Sequence, residues 1–478
     1  MSQEASHVFD AQILRKYDIR GIYGDNVNAA DGYFLGRSFA VLLKEHGLPL
    51  SVLVGYDGRF SSPILEKELV EGLKDSGVNV LRVGLVPTPV LYFGTHTLSD
   101  YQSGIMITGS HNPPEYNGFK IVMNKCAIFD KDIKKLAEIS KTGLFLRGDG
   151  VVETQDVLDS YVQKVAGLIK PQCGKKRLKV VWDCAGGATS MAIQALTLKL
   201  PGEHHIINEK IDGYLRNADP SHPPNLERLI NVVRSESADL GIAFDGDGDR
   251  IGVVDQKGRI VASEELTLLF VKSILAKRSK PDRKELKFLF DIKTSDVICR
   301  KVEEWGANSI LWHTGHSLIK QKMKEEHIVF ASEMSGHVFF GDDYYGYDDG
   351  IFAGCKLLSI LSRSKKSLAE LCEMLPSIYS TPTIHLVCKE SEKFEIIEEL
   401  KSYLSNQNID FNALDGIRRQ SKKGWWLIRA SNTQNCLVIR AEAYKEVDLA
   451  ELCKELISIL STSNTQLDLL QLYELTNQ

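Results

Sequence analysis

The sequence predicts an α/β protein of several domains, in which three similar α/β domains precede a smaller α+β domain at the C-terminus. The chain has 478 residues, which is more than one hydrophobic core usually serves. A pattern of strand, turn, helix and strand recurs three times, and the residues after position 375 follow a different pattern. The predicted domains are 1–155, 156–262, 263–375 and 376–478.

The repeated unit starts with an apolar strand that ends in a polar turn. Its three copies start at residues 51–57, 178–183 and 288–293, and each continues into a helical pattern. In the first copy we expect Ser62 to cap the helix, Pro63 to be its first residue and Gly77 to end it. Units of strand, helix and strand place parallel strands in one sheet, so we expect mixed, largely parallel sheets.

The C-terminal region has the pattern of an α+β domain. Strands are expected at 384–387, 425–429 and 437–442, with a helix at 394–404. A closing helix carries Leu449, Leu452, Leu456 and Leu460 on one face. Several leucines between positions 465 and 475 indicate one more helix, packed on the body of the protein or on a partner.

Composition and charge narrow the function classes. Hydrophobic residues make up 43% and charged residues 25% of the chain, which is ordinary for a globular protein. The 58 basic and 63 acidic residues give a net charge of -5, which does not favour a nucleic-acid or anionic-membrane surface. No apolar stretch has the length of a membrane span and residues 1–5 do not start a signal peptide, so we expect a cytoplasmic protein. The nine scattered cysteines predict reduced thiols that are mostly buried.

The most informative segment is the acidic loop at residues 245–250, where Asp245, Asp247 and Asp249 alternate with glycines and Arg250 follows. Apolar runs on both sides predict two strands, so the loop is expected on a hairpin-like turn. Carboxylates this close repel one another and resist burial unless a cation gathers them. An EF-hand is excluded, because Arg250 stands where such a loop needs glycine. Oxygen ligands without His or Cys nearby favour Mg²⁺, and a solvated acidic turn is the alternative.

A serine loop at residues 108–118 follows the apolar residues 105–107. Two prolines and two glycines exclude regular structure there, so we expect Ser110 to be presented rather than buried. Thr108 and Asn112 occupy the glycine positions of a hydrolase elbow, which excludes that motif. A serine without a neighbouring base is a poor acyl nucleophile, but it can carry a phosphoryl group if a metal lies beside it. A purely structural turn stays open as an alternative.

Four motifs occur in the order that is typical of one enzyme superfamily. They are the serine loop at 108–120, the acidic loop at 245–250, and the segments 333–337 and 429–433. With these motifs nearly the whole chain resembles the α-D-phosphohexomutase superfamily, especially its bacterial phosphomannomutase/phosphoglucomutase members. The resemblance implies four domains around a central cleft, each of which gives one loop to the active site.

The resemblance also implies a reaction. Ser110 would rest as phosphoserine and, with Asp245, Asp247 and Asp249, would hold Mg²⁺. It would donate its phosphate to a hexose 1-phosphate or 6-phosphate of mannose or glucose. The resulting hexose 1,6-bisphosphate would turn around and return its other phosphate to Ser110. The expected partners are therefore hexose phosphates, and a monomer is favoured over a dimer.

Cations are expected around this site, because three carboxylates and a phosphoserine carry more negative charge than Mg²⁺ neutralises. By the resemblance, Lys120 and His337 are candidates for proton transfer, Arg20 is a possible helper and Arg250 stabilises charge. The implied substrate-binding residues are Tyr17, Lys293 and His316 at the cleft, Glu333 and Ser335 at the sugar hydroxyls, and Arg429, Ser431, Asn432 and Thr433 at the phosphate that is not reacting.

Two other functions stay open at this point. A phosphoglucosamine mutase would share most of these motifs, although such enzymes tend to carry Gln where Met334 stands. A catalytically silent sugar-phosphate binding protein would keep the cleft, although the intact Ser110, the three aspartates and Arg250 argue against it.

Overall fold

The computed structural model describes residues 2–3, 5–170, 174–216, 218–389, 391–431 and 434–476. The chain divides into two compact units. The first comprises Met1–Phe288 and Gly315–Met374, and the second comprises Leu289–Thr314 and Leu375–Gln478.

A seven-stranded mixed sheet lies in the N-terminal part of the first unit. Its strands are Ile19–Ile22, Ser51–Tyr56, Asn79–Leu85, Ser103–Ile107, Tyr116–Met123, Cys126–Ala127 and Val152–Thr154. Ser51–Tyr56 pairs in parallel with both Asn79–Leu85 and Ser103–Ile107. The next strand, Tyr116–Met123, runs antiparallel to Ser103–Ile107. The serine loop is therefore the connection at which the sheet changes from parallel to antiparallel pairing.

A second mixed sheet in the same unit has five strands. They are Lys179–Asp183, Glu203–Ile207, Leu240–Phe244, Ile251–Asp255 and Ile260–Val261. Lys179–Asp183 pairs in parallel with Glu203–Ile207 and Leu240–Phe244, whereas Ile251–Asp255 is antiparallel to Leu240–Phe244. The acidic loop connects those last two strands, so the predicted hairpin is confirmed. Two short antiparallel pairs, Ser2–Gln3 with Leu144–Phe145 and Phe330–Ser332 with Val338–Phe340, complete the strands assigned wholly to this unit.

Two helices of the first unit, Ser62–Lys74 and Thr189–Thr197, lie where the predicted repeats place them. The helices of this unit are Ala29–Glu45, Ser62–Lys74, Thr88–Thr97, Lys131–Thr142, Leu158–Ile169, Thr189–Thr197, Glu227–Ser235, Ser263–Leu275, Lys280–Arg283, His316–Glu326, Gly350–Arg363 and Leu368–Glu373, with 3₁₀ turns at Ala11–Ile13 and Pro223–Leu226. Leu65, Leu69 and Leu73 recur at four-residue spacing and are fully buried, as expected for the core face of a helix. The helix at Ser62 starts one residue earlier than predicted, because the Ser62 hydroxyl donates to Asp57 Oδ1 at 2.6 Å instead of capping it.

The second unit contains an antiparallel sheet and the helices that pack on it. The sheet strands are Tyr379–Ser380, Ile384–Val387, Ile417–Gln420, Gly424–Ala430 and Cys436–Ala443, and the helices are Lys393–Asn406, Leu449–Leu460 and Leu470–Thr476 after a 3₁₀ turn at Glu446–Asp448. The third repeat lies where the units divide, with strands Lys287–Asp291 and Asn308–Trp312 around helix Asp296–Glu304. The last helix, predicted from leucines, packs on the body of the protein, because Leu472 is fully buried in the core of this unit.

Separate apolar cores stabilise these sheets. The first sheet packs around residues such as Phe39, Val54 and Phe119, and the second around Val181 and Leu229. Within the described ranges, no helix combines the length and the apolar character that crossing a membrane requires. The cysteines in those ranges are free thiols, as their scattered spacing predicts.

Candidate active site

The acidic loop buries its three carboxylates. Asp245, Asp247 and Asp249 are all 0% exposed, and one oxygen of each lies within 4.8 Å of the others. Gly248 has φ of +80°, and a Cβ there would lie 2.4 Å from Thr189 Cγ2, so glycine is required by conformation and by space. The loop is thus a tight turn that points three acids at one place.

Two of these carboxylates each have an oxygen that receives no hydrogen bond from the described residues. Asp245 Oδ1 accepts from the backbone N–H of Gly248 at 2.9 Å and of Arg250 at 3.2 Å. By contrast, Asp247 Oδ1 and Asp249 Oδ1 are buried and accept no hydrogen bond from the part of the chain that the structure describes. Such an orphaned group costs about 1–3 kcal/mol. Carboxylate oxygens are the ligands that Mg²⁺ prefers, so the three aspartates fit a hard divalent cation.

Lys120 partly neutralises the cluster from the neighbouring sheet. Its Nζ lies 2.6 Å from Asp247 Oδ2 and 2.5 Å from Asp249 Oδ2. Burial alone would lower the pKa of Lys120, but the carboxylates of Asp247 and Asp249 outweigh it and raise that pKa. Burial raises the pKa of Asp245 well above its usual range, and the neighbouring carboxylates raise it further. A further positive charge at the cluster would therefore favour the ionised form of Asp245.

Ser110 lies beside this cluster. Its hydroxyl donates to Asp245 Oδ2 at 2.9 Å and is 3.3 Å from His111 Nδ1. The expectation that Ser110 is presented rather than buried is wrong, because the residue is only 1% exposed. The acidic loop covers it: a Cβ on Gly246 would lie 2.5 Å from the Ser110 carbonyl oxygen. The same packing brings together two loops that are 135 residues apart in the chain.

Arg250 and His337 meet at the edge of the cluster. Arg250 Nε donates to His337 Nε2 at 2.9 Å, and His337 Nδ1 lies 3.0 Å from Asp348 Oδ2. Because Nε2 accepts, the ring proton belongs on Nδ1, which faces Asp348. Burial would raise the pKa of Asp348, but Lys320 and then His337 outweigh it and hold that pKa well below its usual range.

Tyr17, Arg20 and His316 also lie in the first unit. The His316 ring stacks on the His337 ring at 5.5 Å, and the Tyr17 ring is 6.3 Å from His316. Burial holds the pKa of His316 well below its usual range, and Lys320 lowers it further, so this imidazole is neutral near pH 7. Arg20 reaches the serine loop, where its Nη1 donates to Asn112 Oδ1 at 2.8 Å.

Glu333 and Ser335 form a polar pair on the loop between Phe330–Ser332 and Val338–Phe340. Glu333 Oε2 accepts from the Ser335 hydroxyl at 2.9 Å, and its Oε1 accepts from the Gly315 N–H at 2.9 Å. Glu333 is 4% exposed, so these bonds fix its carboxylate. The pair offers an acceptor and a hydroxyl with defined orientation.

The remaining predicted residues belong to the second unit. Lys293 Nζ lies 3.2 Å from Asp291 Oδ2. Arg429 Nε donates to Asp415 Oδ2 at 3.1 Å, and Ser431 Oγ accepts from the Gln434 N–H at 3.1 Å. Asn432 and Thr433 lie outside the described residues. The roles of Lys293, Arg429 and Ser431 in binding stay predictions.

Sequence reasoning missed several residues of the site. The Thr88 hydroxyl donates to Asp247, and Lys320 Nζ donates to Asp348 Oδ1 at 2.7 Å. A signal existed for Lys320, because it follows His316 by four residues on one helix and therefore lies on the same face. His111 directly follows Ser110 in the sequence, so its position was also a signal that it lies at the site. Thr88 carried no local signal.

Comparison with protein families matches nearly the whole chain to one family. Residues 11–147, 159–258 and 262–379 match the phosphoglucomutase/phosphomannomutase alpha/beta/alpha domains I, II and III, and residues 384–459 match the C-terminal domain of the same family. These matches occur in the predicted order of three α/β domains and a smaller last one.

Individual relatives agree with this assignment. The chain is 41% identical to a phosphomannomutase/phosphoglucomutase of Pseudomonas aeruginosa over 94% of this chain and 95% of that protein. It is 37% identical to a phosphoglucomutase of Neisseria gonorrhoeae over 90% and 93% of the two chains. A crystal structure of a phosphoglucomutase/phosphomannomutase family protein from Burkholderia thailandensis is 34% identical, with a TM-score of 0.87 over 96% of this chain and 100% of that one. The chain belongs to the phosphoglucomutase/phosphomannomutase family.

Proposed function

We propose that this chain interconverts hexose 1-phosphate and hexose 6-phosphate, of mannose, glucose or both, by passing phosphate through Ser110. Its family membership makes it a hexose phosphate mutase. The residue assignment depends on the Ser110 hydroxyl, which lies 2.9 Å from Asp245 Oδ2, beside two buried carboxylate oxygens that accept no hydrogen bond from the described residues. A hydroxyl in that place can hold a phosphoryl group against a bound cation.

Asp245, Asp247 and Asp249 would hold Mg²⁺ together with the phosphate on Ser110. When bound, Mg²⁺ supplies positive charge against the phosphoryl oxygens. The chain contributes two further cations. Lys120 contacts the cluster directly, and Arg250 is hydrogen-bonded to the His337 imidazole beside the cluster. Phosphoryl transfer needs mainly positioning and charge stabilisation, which this arrangement provides.

Lys120 and His337 are the candidates for moving a proton to and from the sugar hydroxyl. The Nε2 atom of His337 accepts a hydrogen bond from Arg250 Nε. The imidazole would therefore become available for proton transfer once Arg250 turns toward an incoming phosphate. Asp348 keeps the ring proton on the other nitrogen. Arg20, which donates to Asn112 Oδ1 on the serine loop, would assist.

The substrate would react in two orientations. The first transfer gives hexose 1,6-bisphosphate, which turns and returns its other phosphate to Ser110, so no net phosphate donor is consumed. Glu333 and Ser335 would bind O3 and O4 of the sugar, with Tyr17 and His316 nearby. If the protein contacts only O3 and O4, the configuration at C2, where mannose and glucose differ, does not affect binding. Both sugars would therefore fit.

Residues of the second unit would hold the phosphate that is not reacting. Arg429 offers a planar fork of donors, and Ser431, Asn432 and Thr433 add hydroxyls and an amide, with Lys293 as a further cation. The scattered spacing of the cysteines fits a reducing compartment, and a cytoplasmic enzyme is part of this proposal. A monomer that binds neither nucleic acid nor membrane is the predicted state.

Isomerisation assays with Mg²⁺ and the 1-phosphates of mannose, glucose and glucosamine test this proposal. We expect turnover of mannose and glucose 1-phosphates, and Ser110→Ala should abolish it. Ser103→Ala is the matched control, since Ser103 is also a buried serine on the preceding strand and should leave turnover intact. Preference for the glucosamine substrate would favour a phosphoglucosamine mutase. Equal inactivity of Ser110→Ala and unmutated protein, with sugar phosphate still bound, would favour a silent binding protein.

A further inference from the structure

A fully buried arginine lies beneath the serine loop. Arg59 is 1% exposed, and it follows the central strand Ser51–Tyr56 of the seven-stranded sheet. All five of its side-chain N–H groups meet acceptors. These are Asp57 Oδ2 at 3.0 Å and the backbone carbonyls of Ser110 at 2.8 Å, Asn112 at 2.8 Å, Pro113 at 2.5 Å and Tyr116 at 2.8 Å. Four of the five bonds therefore go to the serine loop.

Asp57 connects this arginine to the other side of the loop. Its Oδ2 accepts from the Thr108 hydroxyl at 2.7 Å as well as from Arg59 Nε. Thr108 Oγ1 in turn accepts from the Ser110 N–H at 2.8 Å. Asp57 Oδ1 accepts from the hydroxyl of Ser62 at 2.6 Å, and Ser62 is the first residue of a helix. The loop is thus fixed on both sides of Ser110 to a sheet strand and a helix.

The backbone of Gly109 packs directly on the guanidinium plane. A Cβ on Gly109 would lie 2.6 Å from Arg59 Cζ and 2.8 Å from the Tyr116 carbonyl oxygen. No other residue type fits there unless Arg59 or the loop moves. The contact leaves the loop little freedom to shift relative to Arg59.

Ser110 itself has a backbone conformation that needs such support. Its φ is +52°, in the left-handed region that is unfavourable for a residue with a side chain. Conformations of this kind persist where the surrounding structure holds them. A phosphate on Ser110 would add charge of about -1.5 to -2 next to three carboxylates, and whenever Mg²⁺ is absent this charge would push the loop away from the acidic cluster. The bonds of Arg59 to the carbonyls of Ser110 and Asn112 oppose that movement.

We propose that Arg59 is a positioning residue, which holds Ser110 in the conformation that directs its hydroxyl at Asp245 and thereby sets the rate of phosphoryl transfer to and from Ser110. This inference rests on the proposed function. Arg59 is not a ligand of the substrate phosphate, because its five donors are already used within the protein. Its loss should therefore slow the chemical step without weakening substrate binding.

Arg59→Lys tests this directly, because lysine keeps the charge but lacks the planar fork. Two rates are measured on the full chain: steady-state isomerisation, and single-turnover transfer of labelled phosphate from glucose 1,6-bisphosphate to Ser110. We expect kcat and the labelling rate to fall about 10²-fold, as misplacement by about 1 Å can cause, while KM stays within about twofold. Arg37→Lys is the matched control. Arg37 is also buried, at 2% exposed, but it packs on the rings of Tyr33 and Phe145, so both rates should stay unchanged.

Gly109→Ala disturbs the same contact from the loop side. It should give the same fall in kcat with little change in KM. In the variant that carries both Arg59→Lys and Gly109→Ala, kcat should fall by less than the product of the two single falls. If Arg59→Lys does not fold, Gly109→Ala decides the question on the same two rates. An unchanged labelling rate per folded molecule would overturn the inference, and so would a loss that appears only in KM. Unmutated enzyme that turns over while Ser110 stays unlabelled would instead contradict the proposed function.

Discussion

Replacing Asp349 by asparagine should stabilise the folded protein more at alkaline than at acidic pH. Asp349 is 1% exposed and caps the helix Gly350–Arg363, where its Oδ1 accepts from the Phe352 N–H at 2.8 Å. The Tyr161 hydroxyl donates to Asp349 Oδ1 at 3.0 Å, and the Tyr344 hydroxyl donates to Asp349 Oδ2 at 3.0 Å. Burial nevertheless raises the pKa of Asp349 to about 7, and the adjacent Asp348 adds to this effect.

The size of the effect follows from the two pKa values. The Asp349 carboxyl titrates at about 7 in the folded protein, and an unfolded aspartate titrates at about 3.9. Its contribution to stability is therefore fully present below about pH 4 and is lost as the pH rises through about 7. The total loss corresponds to about 4 kcal/mol, of which about half has occurred by about pH 5.5. Asparagine accepts the same capping bond but does not ionise, so Asp349→Asn should avoid this loss.

The assay is urea unfolding of both proteins at about pH 5.5 and about pH 8, followed by hydrogen-exchange mass spectrometry of helix Gly350–Arg363. The stability advantage of Asp349→Asn over the unmutated protein should grow by about 2 kcal/mol between these pH values. An advantage that is equal at both pH values, or that shrinks at about pH 8, would refute the reasoning.

Asp343→Asn is a control, because Asp343 lies shortly before Asp349 in the chain and its pKa is shifted in the opposite direction. Burial would raise the pKa of Asp343, but Lys356 at 2.5 Å and Lys277 at 3.2 Å lower it overall. This carboxylate contributes stability above its unfolded pKa, and that stability is lost only as the pH falls through its folded pKa. Asp343→Asn should therefore be less stable than the unmutated protein at about pH 8.

Three further predictions concern the metal site, phosphate binding and the last helix. Asp247→Asn should raise the Mg²⁺ concentration needed for half-maximal activity at least about tenfold in a metal titration, and an unchanged requirement would argue against Asp247 as a ligand. Arg429→Lys should raise KM for the hexose phosphate by about 10-fold or more in steady-state kinetics, because lysine lacks the planar fork, and an unaltered KM would remove Arg429 from the phosphate site. Leu472→Ala should lower the unfolding free energy of the second unit by about 2–5 kcal/mol with kcat unchanged, measured by urea titration, whereas an unshifted midpoint would show that the last helix does not contribute to that core.

The parts of the fold that local patterns determine were predictable. The acidic loop was placed correctly on a hairpin, because apolar runs flank it and its glycines permit the turn. The closing helix Leu449–Leu460 followed from leucines that recur on one face. The serine loop and the acidic loop also occupy equivalent places, since each connects a parallel strand to the first antiparallel strand of its sheet. That equivalence was not visible from the sequence, because strand direction depends on pairing between distant segments.

The features that the sequence could not provide arise from contacts between distant loops. Ser110 is buried where Gly246 packs closely on its carbonyl oxygen, whereas loop composition alone predicts an exposed serine. Arg59 was invisible as a functional candidate, because its five acceptors lie on residues up to 57 positions away. Lys120 was found by resemblance, but its direct pairing with Asp247 and Asp249 required the fold. The catalytic roles of these residues stay predictions.

The most direct test of the central claim is phosphopeptide mapping of the purified enzyme before and after incubation with excess hexose 6-phosphate and Mg²⁺. The account predicts one phosphate on Ser110 in the resting enzyme. If that phosphate is labelled, the label should leave Ser110 during incubation and appear in hexose 1,6-bisphosphate and hexose 1-phosphate, while the substrate phosphorylates Ser110 again. Full isomerase activity in protein that carries phosphate on another residue, or on none throughout turnover, would contradict the account.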